Sequence, residues 1–263
     1  MPYTKTTWTE STGITPERLN NLETQYDKAM DEAVTEAVQE IQYYVSTSGN
    51  DNNAGTSGAP FKTIQKAVDV AYKAIAGQVS INIAAGAYTG DIDIENMMCP
   101  KLFLFGDDEN TTIINGDIEI NNGQWVRLYQ LQIKNGTYGI IALNGMRKLH
   151  LSSVIINNIL TMGVQVDNTE MVIIENSSIG AGASAVRCTT VGTLYVRSVN
   201  FSGVQTNAID ITSGTFAYTS GLTGNIGSVP VHEVDGSILM KGTSTITGGA
   251  DTKSNGGQIF EEV

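Results

Sequence analysis

The chain has 263 residues, with 27 acidic against 15 basic side chains and a formal net charge of −12, which argues against nucleic acid and anionic membrane as partners. Hydrophobic content of 41% with few aromatics suits one elongated domain with a core of branched aliphatics plus a short appendage. Two cysteines, Cys99 and Cys188, give neither a disulfide framework nor a metal-ligand spacing, no apolar run is long enough to span a membrane, and Met1–Lys5 opens no apolar signal segment.

Residues 1–14 read as a polar, Thr-rich arm. A helix is predicted from Thr15, which can cap, with Pro16 at the first helical position. Leu19, Leu22, Tyr26, Ala29, Ala33 and Ala37 make a narrow stripe that ends near Ile41, too narrow for a lone helix, so self-association is expected. Residues 1–42 are therefore expected to pack against copies of the same chain or against another protein. A short strand follows at Tyr43 to Val45, then a Gly/Asn-rich loop. An amphipathic helix is predicted at about 61–76, with Ile64, Ala67, Val68, Ala71 and Ile75 on its apolar face.

From there the chain repeats. Ile118, Ile141, Val164, Val186, Ile209 and Val231 recur in steps of 22 or 23, and Ile120, Leu143, Val166, Cys188 and Ile211 follow two residues later. A third column runs Leu128, Leu151, Ile174, Val196, Tyr218 and Met240. Within each unit apolar and polar residues alternate with the period of a strand, and Asn, Gly, Thr and Ser fill the gaps. No single repeat can bury its own apolar residues. Stacked repeats can, which predicts a parallel β-helix over 43–240 of three short strands per turn. The 61–76 helix would cover its open end, since an uncovered end exposes unpaired backbone. Residues 241–263 are expected to form the opposite cap or a trimer contact. A leucine-rich repeat is disfavoured because its Leu-x-x-Leu-x-Leu pattern is absent.

Two stretches carry a resemblance. Tyr-Val-Ser-x-x-Gly-x-Asp-x-Asn-x-Gly at 44–55 and Pro-Phe-Lys-Thr-Ile-Gln-Lys-Ala-Val at 60–68 resemble the opening of pectin-lyase-like β-helix domains, especially those of bacteriophage tail spikes and tail fibres. Trp8 to Glu23 is similar to N-terminal segments of virion proteins from phages of Gram-positive hosts. The resemblance implies a right-handed helix and a homotrimeric virion protein, joined to other virion proteins through residues 1–42. It also implies binding, and in some members cleavage, of a host surface polysaccharide.

The outward positions carry the candidate chemistry. Glu119, Ala142, Gln165, Arg187, Asp210 and His232 are expected beside the first column, and Tyr129, Ser152, Glu175, Arg197, Thr219 and Lys241 beside the third. One step earlier run Arg127, His150, Ile173, Tyr195, Ala217 and Leu239. Glycoside hydrolysis needs two facing carboxylates, yet no outward column stacks two in this register. Glu175 and Asp210 are weak catalytic candidates, each read as a charge ladder beside an arginine, where an acid is held ionised and is a poor general acid. Trp125, Arg127, Tyr129, His150 and Tyr195 are the glycan-binding candidates, because an apolar sugar face stacks on exposed aromatics beside hydrogen-bonding groups. The competing reading is that this face meets another subunit. Asn135 and Asn158 are expected to form a hydrogen-bonded ladder at a corner. No cofactor and no metal are implied. The leading expectation is a structural or receptor-binding virion protein; a polysaccharide depolymerase (hydrolase or lyase) is the alternative. A bacterial surface adhesin is third, disfavoured by the missing signal segment.

Overall fold

The structure is a computed structural model that describes residues 24–26, 28, 40–121 and 123–261. In chain order the elements are β1 (Glu40–Val45), α1 (Ile64–Ala71), β2 (Gln78–Ile83), β3 (Gly86–Thr89), β4 (Ile92–Glu95), β5 (Lys101–Gly106), β6 (Thr112–Asn115) and β7 (Ile118–Asn121). Longer strands follow: β8 (Trp125–Lys134), β9 (Tyr138–Leu143), β10 (Met146–Ile159), β11 (Met162–Glu175), β12 (Ser178–Ala181) and β13 (Val186–Arg197). The chain continues with β14 (Asn200–Ser202), β15 (Ile209–Thr212), β16 (Phe216–Ser220), β17 (Thr223–Pro230), β18 (His232–Asp235), β19 (Ile238–Lys241), β20 (Thr247–Gly249), β21 (Thr252–Ser254) and β22 (Gln258–Glu261).

All these strands pair in parallel, and they stack as a β-solenoid of about eight turns. Three faces result. The first comprises β1, β2, β5, the first halves of β8 and β10, the second halves of β11 and β13, then β16, β19 and β22. The second runs through β3, β6, the later halves of β8 and β10, β12, β14, β17 and β20. The third runs through β4, β7, β9, the first halves of β11 and β13, β15, β18 and β21. Pairing continues to Glu261, so residues 241–261 form a further layer of strand.

The motif at 44–55 and 60–68 has a physical reason. The Asp51 carboxylate accepts bonds from the Lys62 and Thr63 amides and from the Thr63 hydroxyl. Thr63 in turn caps α1, its Oγ1 accepting from the Lys66 amide. Against the cost of partial burial, those bonds hold the Asp51 carboxyl below its usual range. Gly55 sits at φ +74°, and a Cβ there would meet the Phe61 ring at 2.2 Å. Helix α1 buries Ile64, Ala67, Val68 and Ala71 against β1, β2 and β4, as a lid on the first turn should. It is shorter than predicted, and Ile75 lies beyond it, 64% exposed. The N-terminal helix prediction falls mostly outside the described residues. Residues 24–26 and 28 are helical, but Glu40 and Ile41 belong to β1, so the helix stops before Ile41.

The core columns are partly those expected. Leu128, Leu151, Ile174 and Val196 stack in register, all fully buried. The next member is Thr219, with Tyr218 pointing outward, and then Lys241, with Met240 outward. On the third face the column reads Ile118, Ile140, Val164, Val186, Ile209 and His232. Ile140 and Ala142 therefore point inward, where Ile141 and Leu143 were expected. His232 takes the interior place expected for Val231. A corner that gains or loses one residue leaves the apolar pattern plausible but flips every side chain after it. Beside these columns Cys188 is fully buried, and burial pushes its thiol up, as a small core residue. At the corner between the first and second faces Gln130, Ser153, Asn176 and Ser198 all adopt left-handed backbone, which sharpens the bend. The expected Asn ladder is present: the Asn135 side-chain amide donates to the Asn115 amide oxygen at 2.8 Å, and Asn158 donates to Asn135.

Candidate functional site

The outward side of the first face forms a site because a parallel sheet holds its side chains in fixed columns. Successive strands present Lys101, Phe103 and Phe105, then Trp125, Arg127 and Tyr129, then Lys148, His150 and Ser152. Met171, Ile173 and Glu175 follow, then Thr193, Tyr195 and Arg197. Trp125, Arg127, Tyr129 and His150 are brought together as expected. Tyr195 stands two strands beyond His150, with Ile173 between them.

The geometry differs from a bare aromatic platform. Lys148 Nζ lies 4.6 Å and Lys101 Nζ 5.3 Å from the Trp125 ring centroid, and Phe103 meets the indole edge-on at 5.4 Å. The Arg127 guanidinium lies 5.3 Å from the Tyr129 ring, which Phe105 contacts at 6.0 Å. Cations on the same or the neighbouring strand thus lie close to aromatic rings. The buried donors Trp125 Nε1 and Arg127 Nε have no hydrogen-bond partner among the described residues. Further along, Arg197 lies 4.7 Å from the Tyr195 ring and 5.7 Å from that of Tyr218. Lys101, Phe103 and Phe105 escaped the sequence reading, although the alternation Lys-Leu-Phe-Leu-Phe at 101–105 marks them. Tyr218 escaped because it was assigned to the core.

The two catalytic candidates are not brought together. Glu175 is on the first face, where its Oε1 lies 2.8 Å from His150 Nε2. Burial holds the His150 imidazole below its ordinary value, and the Arg127 and Lys148 charges add to that; the bond to Glu175 works the other way. Asp210 is on the third face, 2.7 Å from Arg187 Nε. Its other neighbour in register is Glu233, not His232. The expectation that no outward column stacks two carboxylates is therefore corrected, since Asp210 lies over Glu233 and Asp93 over Glu119. Glu233 also accepts a bond from Asn207 Nδ2 at 2.6 Å.

A second polar assembly lies inside the last turns. His232 Nε2 is 3.1 Å from the Thr219 hydroxyl and its Nδ1 is 2.9 Å from Asp251 Oδ1. Asp251 Oδ2 meets Lys241 Nζ at 2.7 Å, and Lys241 reaches Glu261 at 3.3 Å. Against the cost of burial, His232 and Lys241 hold the Asp251 carboxyl down at about 2. The order Thr–His–Asp follows nucleophile, base and orienting acid. Thr219 is only 1% exposed, however, so the hydroxyl is closed to any substrate. A cavity of about 440 Å³ opens beside His232, Lys241 and Asp251 at this end. Among the described residues no group of three or more His, Cys, Asp or Glu side chains is placed to hold a metal ion, and no helix is long and apolar enough to cross a membrane.

The fold defines the chain as a parallel β-solenoid protein. No protein-family model matches it, and no curated protein does. Among solved structures it is similar to the crystal structure of Escherichia coli ybhc, with a TM-score of 0.56 and 14% identity over 78% of this chain and 71% of that one. At that identity the likeness shows the fold alone. A GH136 lacto-N-biosidase from Eubacterium ramulus is more distant, with a TM-score of 0.40 and 10% identity over 94% of this chain and 69% of that one, too low to carry a functional argument.

Proposed function

We propose that this chain is a structural, receptor-binding protein of a phage virion, a tail fibre or spike, whose first face engages a host surface glycan. The observation that carries the glycan reading is the cluster of Trp125, Arg127, Tyr129 and His150 on adjacent strands of a rigid sheet. Rigid strands hold aromatic and hydrogen-bonding groups at fixed spacing, which suits a repeating ligand. The virion reading rests on the motif resemblance at 44–55 and 60–68. In this reading residues 1–42 attach the protein to other virion proteins and the chain works as a homotrimer. Affinity electrophoresis through gels containing wall or capsular polysaccharide of the host tests the first part: the chain should be retarded and Trp125→Ala should not. A monomeric mass in light scattering at micromolar concentration would remove the trimer.

One observation favours a second reading, a depolymerase. Asp210 and Glu233 lie in register on neighbouring strands beside Arg187. Strand spacing of roughly 4.8 Å is close to the carboxylate separation of retaining glycosidases, about 5 Å. Both carboxylates are engaged, Asp210 by Arg187 and Glu233 by Asn207, which suits a structural role better. Release of reducing ends or unsaturated products, abolished by Asp210→Asn and Glu233→Gln, would establish the enzyme.

A further inference from the structure

We propose that the glycan held by the first face is acidic, bearing a carboxylate or phosphate on its repeating unit. This inference rests on the glycan reading above and adds the class of sugar. Net charge points the other way, but it averages over faces that differ in sign. Between Lys101 and Arg197 the outward positions of the first face carry four cations, Lys101, Arg127, Lys148 and Arg197, against one carboxylate, Glu175. On the third face the outward column through Asp93, Glu119, Asp210 and Glu233 carries one cation, Arg187. The chain thus concentrates positive charge on one side of an acidic molecule.

The arrangement of those cations points to a ligand charge. Both ammonium groups near Trp125 lie against its ring, so an incoming sugar meets Lys101 and Lys148 before it meets bare indole. A neutral sugar would have to displace them; an anionic one can pair with them while its ring lies along the aromatics. Lys101 and Lys148 flank Trp125 on the strands to either side, so the two ammonium groups are separated by two strand spacings, roughly 10 Å along the solenoid axis. That span matches about two sugar units of an extended chain laid parallel to the axis.

The test uses the full chain in affinity electrophoresis with three polymers: hyaluronate for carboxylate, poly(glycerol phosphate) teichoic acid for phosphate, and dextran as the neutral arm. Retardation by one of the acidic polymers and none by dextran is expected. Retardation should weaken as ionic strength rises from about 0.01 M to about 0.15 M, over which the screening length falls from about 30 Å to about 8 Å. Lys101→Glu with Lys148→Glu should abolish it with an unchanged thermal midpoint. Trp125→Ala should abolish it as well, whereas a plain polyanion contact would survive that substitution. Equal retardation by dextran, insensitive to salt, would overturn the acidic class and leave glycan binding standing. Acidic retardation untouched by the lysine pair would overturn the site. Retardation by none of the three, extended to host polysaccharide without effect, would overturn both readings. If the lysine pair changes the mass in light scattering and not the retardation, the face is a contact between copies and the proposal fails.

Discussion

The interior of the middle turns and the interior of the last two turns are built on one backbone with opposite chemistry. From β8 to β13 the inward columns are apolar and buried, mostly Leu, Ile and Val with Ala142, Met146 and Cys188 among them. From β16 onward the same interior keeps Ala217, Val234 and Leu239 but also carries Thr219, Lys241 and His232, joined through Asp251 in a chain of hydrogen bonds. The middle is stabilised by apolar burial, which no single side chain dominates. The end depends on polar groups that are tolerable only while each has its partner. A solenoid therefore imposes direction on its side chains without imposing polarity.

Four measurements break or sharpen that contrast. The largest effect is expected in the dry middle. Ile140→Asp puts an unpaired charge among Ile118, Val164 and their neighbours, and should cost about 3–5 kcal/mol in denaturant unfolding. Unchanged stability would mean that the strand phase is wrong. The second concerns pH at the polar end. The Asp251 carboxyl is about 2 in the folded chain against an ordinary 3.8. Its folded value is depressed, so its contribution is present above pH 3.8 and is lost as pH falls through about 2. That is about 2 kcal/mol of stability, and Asp251→Asn should flatten the acid limb of the unfolding curve. Third, Thr219→Val extends the dry column by one turn but removes the hydroxyl beside His232. A net loss of about 1 kcal/mol is expected; a gain would show that the apolar column outweighs the hydrogen bond. The smallest effect is expected for Ile141→Asp, one residue from the first substitution but pointing outward. It should stay within about 0.5 kcal/mol of the parent.

The candidate site shows the same limit of reading by pattern. Trp125, Arg127, Tyr129 and His150 were found because they alternate with buried Val126, Leu128 and Leu149, and that alternation survives any error elsewhere in the chain. The sequence places Asp210 between Arg187 and His232 and gives Glu233, its partner in the structure, no position. One residue of slip between β15 and β18 exchanged Glu233 with His232.

By itself the sequence determined the architecture. Its strand-period repeats and the Asn, Gly, Ser and Thr between them are local features, and each repeat must bury the same stripe as the last. Only the tertiary structure decided which residue of each neighbouring pair faces in, because corner length sets that phase and the apolar pattern tolerates either choice where Ile140 and Ile141 stand together. It also decided which charges share a face. Lys101, Arg127, Lys148 and Arg197 are far apart in the chain, and a positive surface on an acidic protein arises only when the turns stack.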